Sequence, residues 1–242
     1  MEIAIKVESV CKEFNTRDND SIFSKLTGSN QEGKIQVLRD ISFEVKKGEM
    51  FGIIGKNGIG KTTLLRLIAG IYRPDSGKIS TNGSMVPLLA LGTGFNPELS
   101  ARDNVIMYGK ILGFSHNQIK NMVDKIIEFA ELEKFIDVKL KKFSTGMAMR
   151  LAFSTAIQVD PDIILVDEIL AVGDLGFQKK SYEAFTKFRE RKKTIIYVTH
   201  DINSINNLCD RAMLLDDGVI KSIGNPSKVI NDYLETLDKK VD

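Results

Sequence analysis

An α/β core interrupted by a helical segment is the fold class this sequence predicts, and three features predict it. Short apolar, β-forming runs at residues 50–54, 163–166, 194–198 and 212–215 alternate with helix-patterned stretches. A glycine-rich turn joins the first of these runs to a helix. From Pro97 to Val159 the pattern turns helical throughout. The expected division is one domain over residues 1–242, with a core and β-subdomain in about 1–96 and 160–242 and a helical subdomain in 97–159.

The elements follow in order. Ile3-Ala4-Ile5-Lys6-Val7 and Ile41-Ser42-Phe43-Glu44-Val45 cluster or alternate β-formers and read as strands. The polar stretch Asn15 to Lys34 lies between them. Within it, Ser21–Leu26 reads either as one short amphipathic helical turn or as a plain surface loop. Met50-Phe51-Gly52-Ile53-Ile54 is an apolar strand, and Thr62–Ala69 a helix ending at Gly70. Arg73-Pro74-Asp75-Ser76-Gly77 is a turn, with strands expected at Lys78–Ser80 and Ser84–Leu89. Ser100…Asp103 and Ser115…Gln118 have the spacing of N-terminal capping boxes. Met122, Ile126, Ile127 and Phe129 suit one buried helix face.

The bulk numbers narrow the function. Apolar residues make up 43% and charged residues 27% of the chain, ordinary values for a globular protein. With 34 basic against 32 acidic residues, electrostatics predicts no nucleic-acid partner. Cys11 and Cys209 have neither metal-like nor redox-like spacing and read as reduced thiols. Glu2, Lys6 and Glu8 interrupt the first apolar residues, so no secretory signal is expected. The longest apolar runs fall well short of the roughly 20 residues that cross a bilayer. Any action at a membrane therefore requires another chain.

Three elements carry chemistry. Gly55-Lys56-Asn57-Gly58-Ile59-Gly60-Lys61-Thr62 matches G-x-x-x-x-G-K-[ST] between a predicted strand and a predicted helix. Glycines let successive amides turn inward onto phosphate oxygens, and the following helix, through Thr63, presents its positive N-terminus to them. Lys61 is expected on the β- and γ-phosphates, and the Thr62 hydroxyl on Mg²⁺. Ile163-Ile164-Leu165-Val166 then delivers Asp167 and Glu168 at the carboxyl end of a buried strand, where α/β ligands bind. Asp167 is expected to hold Mg²⁺ through water and Glu168 to act as general base on the attacking water. Phe143-Ser144-Thr145-Gly146-Met147 opens a helical run at Ala148–Ile157, and a hydroxyl at such a start forms an anion site.

The order of these elements, followed by Val198-Thr199-His200-Asp201, resembles the ATP-binding subunits of ABC transporters over nearly the whole chain. The resemblance implies a P-loop NTPase (RecA-like) core with an N-terminal antiparallel β-subdomain and an inserted α-helical subdomain. It implies that Ser144, Gly146 and Met147 cap the γ-phosphate of ATP held by a second copy, so that a homodimer encloses two nucleotides. It assigns His200 as the switch histidine and Asp174, in Ala171-Val172-Gly173-Asp174, to the inter-subunit aspartate loop. It also places Phe14 where an aromatic stacks on adenine; a core phenylalanine ending the first strand is the alternative.

Two stretches narrow the resemblance. Residues 89–100, Leu-Ala-Leu-Gly-Thr-Gly-Phe-Asn-Pro-Glu-Leu-Ser, and 167–178, Asp-Glu-Ile-Leu-Ala-Val-Gly-Asp-Leu-Gly-Phe-Gln, look like exporters of O-antigen, teichoic acid and related polysaccharides. That branch implies a separate integral-membrane permease and a lipid-linked polysaccharide substrate. It implies a peripheral position on the cytoplasmic face, and a short gating helix with Ile22, Phe23 and Leu26 as its apolar face. Two departures stand out. No glutamine occurs near Leu89-Ala90-Leu91-Gly92, where most of the wider family has one, and Met147 replaces a common glutamine. An ABC subunit for another substrate shares every ATPase motif. A soluble ABC ATPase acting on DNA or ribosomes fits less well, because heptads and a second cassette are missing. No Asn-Lys-x-Asp element supports a GTPase.

Overall fold

The structure, a computed structural model, describes residues 2–15, 34–89, 91–167 and 174–238. Along the chain run β1 (Ile3–Asn15), β2 (Lys34–Lys46), β3 (Met50–Ile54), α1 (Lys61–Ile68), β4 (Ser76–Thr81) and β5 (Met85–Leu88). Helices α2 (Ala101–Ile111), α3 (His116–Ala130) and α4 (Thr145–Ala156) follow, then β6 (Ile163–Asp167), α5 (Leu175–Glu190) and β7 (Thr194–Val198). The chain closes with α6 (Ile202–Leu208), β8 (Arg211–Asp216), β9 (Val219–Gly224) and α7 (Pro226–Asp238). Two compact units emerge: Met1–Asn82 with Val198–Asp242, and Gly83–Tyr197. The helical stretch expected at 97–159 lies inside the second.

In the first unit, β1 pairs antiparallel with both β2 and β4. The expected strands at 3–7 and 41–45 are the inner parts of much longer ones. Bulges near Ser9 break the register, and the Ser9 amide there donates to the Ser42 hydroxyl at 2.8 Å. Every residue of β3 is buried, as expected for a strand covered on both faces. β3 runs parallel to β8, whose other edge pairs antiparallel with β9. The β8–β9 turn is Asp217-Gly218, with φ of 48° and 70°, the left-handed pair that matches strand twist in a two-residue hairpin. Neither β9 nor α7 was anticipated from the sequence.

In the second unit, β5, β6 and β7 lie side by side in that order, with β5 parallel to β6. Both serines cap their helices, but only Ser115 closes the full reciprocal box. The Ser100 Oγ accepts from the Asp103 amide at 3.1 Å. The Ser115 hydroxyl accepts from the Gln118 amide, while the Gln118 side chain accepts from the Ser115 amide at 2.9 Å. The buried face of α3 is Ile119, Val123, Ile126, Ile127 and Ala130, packed with Val105 and Leu151. The face predicted from sequence was therefore rotated. Ile126 and Ile127 belong to it, but Met122 and Phe129 are only half-buried.

One buried polar residue organises the start of this helical core. Asn104 is fully buried, yet its Nδ2 donates to the carbonyls of Asn96, Leu99 and Ser100, and its Oδ1 accepts from the Asn96 amide at 2.7 Å. One side chain thus bonds four backbone groups at the two ends of the 96–100 loop, beside the loop's own backbone hydrogen bonds. Residues 136–141 clasp the loop from the other side, with Leu140 N–H on Leu99 O and Lys141 N–H on Pro97 O, both at 2.9 Å. Glu98 adds Lys139 and Lys141, and its hydrogen bonds to Lys141 and then Lys139 hold its carboxyl below the usual range. Replacing Asn104 with alanine takes from the buried loop the partner of the Asn96 amide and the second donor of the Asn96, Leu99 and Ser100 carbonyls, which keep their backbone partners. We expect Asn104→Ala to lose about 2–3 kcal/mol of stability, read as a lowered urea midpoint with unchanged slope; an unmoved midpoint would refute the assignment.

Candidate functional site

In the first unit, the buried strand β3 delivers the chain into the turn at residues 55–60. A Cβ on Gly55 would overlap the carbonyl oxygen of Leu215 in β8, so only glycine lets the loop leave the sheet so close to its neighbour. Gly60 is the N-cap of α1, with φ 109° in the left-handed region, and no side chain caps the helix. No carboxylate occupies the first turn. The helix thus keeps an uncompensated positive end, as an anion site requires.

Lys61 opens that helix and is only 6% exposed. Its ammonium donates to the carbonyls of Gly55 at 2.7 Å and Lys56 at 2.9 Å. A buried cation is costly without such partners, and these partners belong to the loop itself. Thr62, Thr63 and Ile59 are half-buried, while Asn57 and Gly58 are exposed at the loop's crest. In this arrangement amides, ammonium and helix end can donate together to phosphate oxygens.

His200 is exposed in the turn between β7 and α6. The turn is locally fixed: Asp201 N–H donates to Thr199 Oγ1 at 3.0 Å, and the Asp201 carboxylate caps α6 by accepting from Asn203 N–H at 3.0 Å. Phe14 lies near the end of β1, half-buried rather than in the core. Tyr72 meets its ring edge-on at 5.6 Å, and the Lys12 ammonium lies 5.3 Å from its centroid. Lys12 is anchored by Asp75 at 3.0 Å. The Asp75 carboxyl is held below its ordinary range by the Glu13 amide, with Lys12 adding to the effect.

In the second unit, Asp167 ends the buried strand β6 and is itself half-buried. Glu168, the expected general base, lies outside the described residues. So do Ala90, residues 169–173 of the aspartate loop, and the segment holding Ile22, Phe23 and Leu26. Ser144 is the N-cap of α4 and accepts from the Met147 amide at 3.2 Å. Ser144, Thr145 and Gly146 are exposed. A Cβ on Gly146 would meet nothing closer than the Ser144 hydroxyl at 3.8 Å. Among the described residues, nothing requires glycine at that position. Met147, by contrast, packs on the helical core.

Sequence reasoning missed Arg150. One turn after Gly146, its guanidinium pairs with Glu131 and reaches Asp174 at 3.7 Å, and it lies over the Phe177 ring at 4.8 Å. Asp174 caps α5 by accepting from Phe177 N–H at 3.0 Å. Arg150 thereby ties the Ser144 helix to the aspartate expected at the subunit boundary. The only sequence signal was an arginine within the apolar run 148–157.

A family model described as ABC transporter matches residues 38–171, more than half of the chain. The chain belongs to the ABC transporter family. The O-antigen export system ATP-binding protein RfbB of Klebsiella pneumoniae is 38% identical, over 84% of this chain and 83% of its own. The teichoic acids export ATP-binding protein TagH of Staphylococcus epidermidis is 35% identical, over 99% and 92%. RfbB of Myxococcus xanthus is 46% identical over 84% of this chain, which spans only 46% of that relative's length. An ATP-binding cassette solved as a dimer in a post-hydrolysis state, with ADP and Pi, matches with a TM-score of 0.74 at 23% identity, covering 92% of this chain and 98% of that one. The fold is accordingly the P-loop NTPase fold of ABC cassettes.

The glycines of this ABC chain separate by what surrounds them. We expect Gly55→Ala to cost about 1–3 kcal/mol in thermal unfolding through overlap with the Leu215 backbone. Gly146→Ala, in open space on a helix, should leave stability unchanged or raise it by up to about 1 kcal/mol. Equal losses in both variants would contradict the distinction.

Proposed function

We propose that this chain is the ATP-hydrolysing subunit of an exporter for a lipid-linked cell-surface polysaccharide of the O-antigen or teichoic-acid kind. Its ATPase reading is carried by Lys61, a buried cation at an uncapped helix start whose ammonium donates to carbonyls of its own loop, where phosphate oxygens can compete for it. The export reading rests on relatives named for O-antigen and teichoic acid export. No helix among the described residues is long and apolar enough to cross a membrane; in this reading a permease subunit carries the polymer across.

In the proposed cycle, amides of Gly55 to Thr63 and the Lys61 ammonium hold the triphosphate, and Phe14 stacks on the base. Thr62 and Asp167 supply the hard oxygen donors that suit Mg²⁺, which prefers one or two protein ligands plus phosphate oxygens. Bound there, the ion neutralises charge on the β- and γ-phosphates. Glu168 accepts a proton from the attacking water, and His200 contacts the γ-phosphate. A second copy of the chain places Ser144, Gly146 and Met147 on that phosphate. Binding closes the homodimer at the cytoplasmic face, and hydrolysis with phosphate release lets it part. The loop 91–100 and the helical segment pass that motion to the permease. No nucleic acid takes part.

Glu168→Gln should lower the rate of phosphate release at least about 100-fold while leaving equilibrium ATP binding intact; a wild-type turnover rate removes Glu168 from the role of base. In cells lacking the wild-type copy, the same variant should abolish surface polysaccharide and leave lipid-linked polymer inside. Normal surface polymer in that strain, with ATPase activity lost, would instead point to a different exported substrate.

A further inference from the structure

We propose that the β8–β9 hairpin braces the phosphate loop at both ends and that Arg39 is the positioning residue that fastens it. The inference deepens the nucleotide-binding role given to Gly55–Thr62 and rests on it. A glycine-rich loop is floppy by itself, yet its amides must converge on phosphate before the ligand arrives if binding is not to lose free energy in ordering them. Something outside the loop has to hold it.

Two contacts do so, and both trace to one short piece of chain. At the first end, Gly55 lies against the Leu215 carbonyl, with no room for a Cβ. At the other end, a Cβ on Gly60 would stand 3.0 Å from Val37 Cγ1, 3.1 Å from Leu38 Cδ2 and 3.2 Å from the Val37 carbonyl oxygen. Residues 37–39 of β2 are in turn seated on the hairpin turn. Arg39 N–H donates to Gly218 O at 2.7 Å, and Arg39 Nη2 donates to the Asp217 carbonyl and to its Oδ2 at 2.6 Å. Gly218 lies so close that a Cβ there would stand 2.6 Å from the Val37 carbonyl oxygen. Leu215 thus supports Gly55 directly, and Asp217 and Gly218 support Gly60 through β2.

The Arg39–Asp217 pair is exposed, with 42% and 82% of the side-chain surfaces in solvent, and an exposed ion pair adds little to global stability. The guanidinium also leaves its buried Nε without a hydrogen-bond partner. The pair is therefore poorly explained by fold stability and better explained by where it seats Val37 and Leu38. Losing it should loosen the loop and weaken nucleotide binding, with the chemical step little changed.

The test uses the full chain, a fluorescent ATP analogue for Kd, and phosphate release for KM and kcat. Arg39→Ala and Asp217→Ala should each raise Kd and KM roughly three- to fivefold, with kcat within about twofold and melting within a few degrees. The double variant should be no worse than either single one, because the two side chains act as a unit. Arg39→Lys should recover most of the affinity. Asp217→Asn, which keeps the shape of the turn, should give a smaller rise and serves if an alanine variant fails to fold. Wild-type Kd in Arg39→Ala and Asp217→Asn, while Lys61→Ala abolishes binding, overturns the brace and leaves the phosphate-loop role standing. Additive losses, or affinity that falls only in step with melting temperature, also overturn it. Unchanged affinity in Lys61→Ala sinks the phosphate-loop role itself.

Discussion

A positive charge buried beside its own backbone is the constraint from which the nucleotide half of this protein follows. Lys61 is nearly inaccessible, and its ammonium spends hydrogen bonds on Gly55 and Lys56, the first two residues of the loop it closes. That arrangement is stable only while the loop's carbonyls point inward. The same curvature turns other peptide units so that amides face the space where an anion binds. Phosphate oxygens can compete for the ammonium, because a charge-assisted bond to an anion is stronger than one to a neutral carbonyl. The loop is therefore shaped by its cation even without ligand.

Glycine has three different jobs in this chain, and the surroundings of each tell them apart. Gly55 is glycine because backbone passes where a side chain would be. Gly60 is glycine because the helix must begin from a left-handed residue wedged against β2. Gly146 has neither reason, since its side-chain space is open and its helix would tolerate alanine. Gly146 is thus a glycine that no described neighbour requires, exposed at a serine-capped helix start, and the proposed approach of a second copy gives it a reason. This is physical support for the two-copy reading, and it is independent of motif order.

Much of the architecture was legible because it is encoded locally. The strands at 50–54, 163–167 and 194–198 declare themselves as apolar runs, and the caps at Ser100 and Ser115 as short spacings. The hairpin at Asp217-Gly218 is equally local, since Asp-Gly between β-forming runs is a strong turn signal; the apolar run ending in Leu215 alone does not reveal it. Asn104, Arg150 and Arg39 were illegible for another reason. Each is an ordinary polar residue in its own segment, and its importance comes from side-chain partners 4 to 178 residues away. The rotated face of α3 falls in the same class, since periodicity locates a stripe but not which edge of it meets neighbouring helices.

These three residues share a design that motif reading overlooks. Each ties backbone or carboxylate partners beside a motif or a coupling loop, without belonging to one itself. Asn104 pins both ends of the 96–100 loop to the first turn of α2, so that in the proposed cycle a force on that loop would be passed to the helical core. Arg150 joins Glu131, Asp174 and Phe177, so the serine-capped helix and the start of α5 cannot shift independently without breaking a pair of charged contacts and a ring contact. A machine that converts a phosphate bond into movement has to be stiff between the places where force enters and leaves. Polar hubs give that stiffness better than apolar packing, because a side chain that slides along a greasy face loses little, whereas a buried amide that slips by one register loses its partners outright.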